Sequence, residues 1–312
     1  MRLGLIENVG AYNCLLASVA TVAKSNNRDF YMIASGDLTF RYEDVDCKRL
    51  GEQIDIVSKV DASYRAKIFH GFSWQFKDAN QTVPHINENE YPLIVSVDQY
   101  DAKWSKYYQK YHFLHYLIAC EYDDKMKVFR CIDPYYNYAN YRISEEDFYN
   151  ALVKCGQVVF TDLPIRKMDD YKQTVYEDFI GMNEENYGNI QKFAINIYEK
   201  MDIHLEFDEY ANCLDAVPIM DKLRKIAMSR DAYAIMLESI FDNCGLEYLL
   251  QASDLMKQSV SLWKQVRAKL LKTYLTKSFD NQRRDLSLML KQIANIERKM
   301  TDIVLFNYLE GN

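Results

Sequence analysis

HYLIACEYDDKMKVFRCID, residues 115–133, decides how this chain is read. Two apolar runs, His115–Tyr122 and Val128–Asp133, flank the polar cluster Asp123-Asp124-Lys125-Met126. Such runs around a turn-forming cluster predict a β-hairpin. One arm opens on a histidine and the other closes on an aspartate. Residues directly opposite in a hairpin share a face, so the loop decides whether the two meet. A loop over 123–125 sets His115 across from Asp133. A loop over 124–125 pairs Asp133 with Tyr116 and turns His115 to the other face. A His115–Asp133 partnership therefore requires an odd loop or a β-bulge.

Working outward, Pro92–Asp98 and Gln157–Phe160 read as further strands. Upstream, Asn13 is a helix cap for a segment that opens at Cys14, carries Leu15, Leu16, Val19, Val22 and Ala23, and ends near Lys24–Asn27. Ser144-Glu-Glu-Asp-Phe148 opens another helix in capping-box fashion, with Asp147 where Glu or Gln is usual. From about residue 164 the strand signals vanish. Helical periodicity covers 187–201, 217–241, 246–275 and 283–309, with breaks at Gly245 and at 278–282, and Pro218 suits a first helical turn. The expectation is an α+β chain: a mixed domain over 1–163 and an all-α domain over 164–312.

Composition narrows the function classes. The chain has 312 residues, 49% hydrophobic and 27% charged, enough apolar material for a sizeable core. Its net charge of -7 runs against a nucleic-acid-binding footprint. No apolar run approaches the ~20 residues of a membrane span, and no signal-peptide pattern opens the chain, so a cytoplasmic protein is expected. Seven Cys with no CxxC and five His with no HExxH indicate neither a zinc site nor a redox pair.

Cys14 sits at the expected helix start, where unpaired N–H groups and the helix dipole favour a thiolate. His115 and Asp133 follow in the order that thiol catalysis needs. The imidazole takes the thiol proton and returns it to a leaving group, while the carboxylate orients the ring. Asn8 is a candidate donor to a developing oxyanion. Each residue also has a plainer reading. A cysteine on an apolar helix face is usually a small hydrophobe, a strand histidine is usually structural, and Asp133-Pro134 is a strand-ending turn. His112 is a rival base, expected to precede the strand. Cys120 and Cys131 read as core, and Cys47, Cys155, Cys213 and Cys244 lack a matching His–acid arrangement.

The chain also resembles a known family. Tyr12-Asn-Cys14-Leu-Leu-Ala-Ser18, Phe40-Arg-Tyr42, Pro92–Tyr100, Tyr107 and Tyr108, His112–Ile118, Tyr122-Asp123 and Ile132-Asp133-Pro134 resemble the butirosin biosynthesis protein H family, which includes the closthioamide-type amide synthases. Residues 232–237, Gly245 and Ser261-Leu-Trp263 carry a weaker likeness to that family's helical domain. The chain departs at Glu121, where Gly is usual, and in its glycine-poor 34–40 segment. Asn8 stands where papain-like enzymes more often have Gln. The resemblance implies a papain-like N-terminal domain and amide synthesis in natural-product (antibiotic) biosynthesis. An acyl group would pass from the phosphopantetheine thioester of an acyl or peptidyl carrier protein to Cys14, and then to a small amine, with no cofactor bound to the chain itself. A peptidase or amidase with the same triad, and a non-catalytic binding module, are the alternatives. Tyr135, Tyr136 and Tyr138 follow Asp133 and are expected either to wall a substrate pocket or to form a tyrosine-rich surface loop. The basic stretch 264–284 is either a carrier-docking strip or, with more weight, a solvated helix face. Helical domains of this kind often form homodimers.

Overall fold

The computed structural model describes residues 11–36, 38–45, 49–57, 61–79, 92–161, 168–182 and 184–310. The chain mixes helices with a sheet and divides into two units, residues 1–33 with 62–165 and residues 34–61 with 166–312. The division is thus not a single cut near residue 163. Residues 34–61 leave the first half of the sequence and pack with the second.

The first unit opens with α1, Cys14–Ser25. The Asn13 side chain accepts the Leu16 N–H at 2.9 Å, the cap its sequence predicts. Ala17 through Ala23 are all buried, so α1 is an interior helix rather than a surface amphipath. After β1 (Thr39–Tyr42) and β2 (Ile54–Val57), which belong to the other unit, come α2 (Ala62–His70) and β3 (Phe72–Asp78). Then follow β4 (Leu93–Asp98), β5 (Leu114–Asp123), β6 (Val128–Asp133), β7 (Tyr138–Ser144), α3 (Glu145–Ala151) and β8 (Leu152–Phe160).

The six strands form one antiparallel sheet in the order β3-β8-β4-β5-β6-β7. Helix α1 packs against β4, β5 and β8. Leu93, Val95, Leu117, Ala119, Phe129 and Cys131 form a core with Phe148 and Ala151 of α3. Burial of such side chains is worth about 1.5–3 kcal/mol each for the larger ones. The Tyr138–Tyr141 segment is not a loop. It starts the edge strand β7, whose residues are mostly exposed, in keeping with the liking of tyrosine for half-buried pleated surfaces.

The second unit pairs β1 with β2 and carries helices α4 (Met168–Gly181), α5 (Glu184–Glu199), α6 (Ile203–Phe207), α7 (Pro218–Cys244), α8 (Glu247–Leu275) and α9 (Phe279–Glu310). Pro218 opens α7, and Gly245 ends it at φ 68° as an αL cap. Phe40 and Tyr42 of β1 join Phe193, Trp263 and Leu290 in one apolar cluster. Gly51, in the turn before β2, lies so close to α7 that an added Cβ would sit 2.2 Å from the Ile219 nitrogen. That close approach is why the 34–61 segment belongs with the helices.

Candidate active site

The hairpin over 114–133 has a four-residue loop, since Asp123 pairs with Val128. That even loop would put His115 and Asp133 on opposite faces. A β-bulge corrects it. Pairing runs Tyr122↔Phe129 and Glu121↔Arg130, then shifts to Ala119↔Cys131 and Ile118↔Ile132, leaving Cys120 as the extra residue. Carried on, the shifted register sets Asp133 across from Leu117, on the face of His115 and diagonal to it. The expected odd loop is therefore absent, and the expected bulge is present.

The result is a buried His–carboxylate pair. His115 Nε2 lies 2.6 Å from Asp133 Oδ2. His115 is 5% exposed and Asp133 3%. The other carboxylate oxygen, Oδ1, accepts the Tyr136 N–H at 3.2 Å. With Nε2 committed to Asp133, Nδ1 is the ring nitrogen left for the hydrogen bond that joins His115 to Cys14. Three residues far apart in sequence thus meet in a line of thiol, imidazole and carboxylate.

Electrostatics match that arrangement. Burial raises the Cys14 thiol, but the hydrogen bond and charge of His115, with the main-chain N–H groups of Tyr116 and Leu15, outweigh it and hold the thiol below its ordinary range. Burial lowers His115, but hydrogen bonds and charge from Asp133 and Cys14 raise it to about 9. A lowered thiol beside a raised imidazole shifts the balance of the pair toward thiolate and imidazolium.

The Tyr116 amide is a donor that sequence reading does not find. Gln99 N–H donates to Phe113 C=O at 2.9 Å, so the hydrogen-bonded pairs of β4 and β5 fall at Val97↔His115 and every second residue. Tyr116, opposite Ser96, turns its N–H away from β4. On that other side the pairing with β6 ends at Ile118↔Ile132. The amide is therefore not used by the sheet and serves the thiolate instead.

The remaining candidates sort as follows. Asn8 and Cys47 lie outside the described residues. Tyr135 and Tyr136 stand against His115, with ring centroids at 5.9 and 5.2 Å. Tyr138 stacks on Tyr141 at 4.3 Å. His112 precedes β5 and pairs with Asp98 at 2.7 Å, with Tyr100 stacked on its ring. Cys131 and Cys155 are buried, and burial pushes the Cys120 thiol up to about 11. In the basic stretch 264–284, Lys264, Arg267, Lys269 and Arg283 are bonded to Asp231, Asp215, Asp285 and Asp280. Most of that charge is therefore answered within its own unit. A cleft of about 450 Å³ in the helical unit is lined by Lys200, Asp202, His204, Lys277, Asp280 and Arg283. It mixes both signs of charge and holds no thiol.

No family model matches the chain, and no curated protein matches it significantly. Among the described residues, no helix is long and apolar enough to cross a membrane, and no cluster of three or more His, Cys, Asp or Glu could hold a metal ion.

Proposed function

We propose that this chain is a cysteine-dependent acyltransferase that forms amides, built on a papain-like first unit. The observation that carries the proposal is the Cys14–His115–Asp133 line, a half-buried thiol at the start of α1 held low beside a buried His–carboxylate pair. The Cys14 thiolate attacks the carbonyl carbon of a carrier-bound thioester. The new C–S bond forms, the old one breaks, and the departing pantetheine thiolate takes the proton from the His115 imidazolium. An amine then attacks the acyl-Cys14 carbonyl. Its C–N bond forms as the Cys14 C–S bond breaks, and the amine proton passes to His115, which restores the thiolate–imidazolium pair. Main-chain N–H groups at the start of α1 stabilise the oxyanion in both steps. Asp133 keeps the ring oriented throughout. The resemblance to the butirosin biosynthesis protein H family supports an amine rather than water as the acceptor.

Intact-protein mass after exposure to acyl-pantetheine thioesters tests this. The expected result is a mass gain equal to the acyl group, absent in Cys14→Ala, and discharged faster by amines than by water. Discharge by water alone would make the chain a hydrolase. No adduct, with no alkylation of Cys14 near pH 7, would make it a binding module.

A further inference from the structure

Two loops close the end of the sheet at which His115 and Asp133 sit. β4 ends at Asp98 and β5 begins at Leu114, so residues 99–113 flank His115 on one side. β6 ends at Asp133 and β7 begins at Tyr138, so residues 134–137 flank it on the other. Both loops are rich in tyrosine. Tyr107 packs edge-on to Phe113 at 5.0 Å and lies within electrostatic reach of the Tyr136 phenol. Tyr135 meets Tyr136 at 5.0 Å, and both face the His115 imidazole. Tyr136 is 47% exposed while His115 is 5% exposed. The rings are thus an outer wall whose inner edge is the base.

The position of the wall decides its occupant. In acyl transfer the acyl group hangs from Cys14, and His115 serves first the departing thiolate, which it protonates, and then the incoming amine, whose proton it takes. Once the carrier thiol has left, a wall built around His115 faces the acceptor. Charge narrows the class further. In the 99–113 loop Lys103 is answered by Asp147 at 2.6 Å, which leaves Lys106 and Lys110 against Asp101, a net of two minus one, or +1. The Lys106 ammonium already lies 4.6 Å above the Tyr107 ring. A second cationic group on the acceptor is repelled there, whereas an uncharged ring gains the edge-to-face and offset contacts that aromatic pairs prefer.

We propose that Tyr107, Phe113, Tyr135 and Tyr136 form the acceptor site and select primary amines that carry an aryl group. The assignment rests on the acyl-transfer reading. The aromatic contribution beyond buried area corresponds to a preference of about 2- to 12-fold over a saturated ring of the same size.

The test compares phenethylamine with 2-cyclohexylethylamine in two measurements. One is the rate of discharge of acyl-Cys14, followed by intact mass at subsaturating amine. The other is calorimetric binding to the Cys14→Ala chain, which needs no chemistry. Phenethylamine is expected to win in both by about 2- to 12-fold. Tyr136→Leu should erase the preference and Tyr136→Phe should keep it, and Tyr107→Leu gives a second, independent reduction. Equal or better performance by the cyclohexyl amine overturns the proposal, as does a preference that survives both Leu variants. If no thioester acylates Cys14 while aryl-selective binding to Cys14→Ala persists and depends on Tyr136, the aryl site stands and acyl transfer falls. If acylation proceeds without aryl preference, the acceptor site alone falls.

Discussion

Cys14 shows how little a residue type says until its neighbours are known. Six cysteines stand among the described residues. Chiefly through burial, the thiols of Cys120 and Cys131 are driven upward, which makes them inert. Cys14 is half-buried, and burial raises its thiol too, yet the thiol is held low because His115 and two main-chain N–H groups face it. A pH prediction follows at this scale. Alkylation of Cys14 by iodoacetamide should already be fast below the ordinary thiol range near ~8.5. The imidazolium half of the pair should be lost as pH rises through about 9. Because folding raises the His115 pKa above its unfolded value of ~6.5, its stabilising contribution is complete below that pH and disappears as pH climbs through about 9. His115→Asn should move the alkylation midpoint upward, because the hydrogen bond and charge that lower the thiol are lost. An unchanged midpoint would mean that the imidazole does not control the thiol.

At the scale of elements, the decisive feature is the bulge at Cys120. The apolar runs of β5 and β6 and the N-caps at Asn13 and Ser144 are visible in the chain because each depends on residues within a few positions. The register between β5 and β6 is not local in that sense. It is set by which side chains the sheet buries against α1 and α3, and one extra residue reverses the face of everything beyond it. Deleting Cys120 removes the bulge but joins Glu121↔Arg130 to Ala119↔Cys131 in one continuous register, so Asp133 should stay on the face of His115. The expected readout is a retained downfield His115 ring-proton NMR signal and an unchanged Cys14 alkylation midpoint, with the far-UV spectrum retained. Loss of both signals would show that the pair needs the bulge itself and not only the register it sets.

For the whole molecule, the helical unit holds the costliest polar group. Glu297 is fully buried and accepts from Arg230 on α7, and from Ser259 and Trp263 on α8. Arg230 is itself 1% exposed. Glu297→Ala strands that guanidinium in a low-dielectric interior and should cost about 3–5 kcal/mol of stability by chemical denaturation. Arg230→Met combined with Glu297→Leu should recover most of it, because no charge is then left unpaired. A single-variant loss below about 1 kcal/mol would contradict this account. The same unit explains why no single cut divides the chain. Residues 34–61 read as an irregular part of the first half, but Phe40, Tyr42, Leu50 and Ile54 bury themselves among the helices.

What the amino-acid order determined by itself was much of the inventory of elements: the capped α1 with Cys14 at its start, strands read over 92–98, 115–122 and 128–133 that form within a residue of those bounds, and the long helices behind them. These follow from apolar periodicity and short-range caps, which act over a few residues. It also put the three reactive side chains on the page without joining them. The tertiary structure decided the rest: the bulge that turns Asp133 toward His115, the Tyr116 amide left over for the thiolate, the edge strand that takes up Tyr138 and Tyr141, and the home of residues 34–61. Each of these depends on contacts between residues far apart in sequence, and long-range packing overrides local preference wherever the two compete.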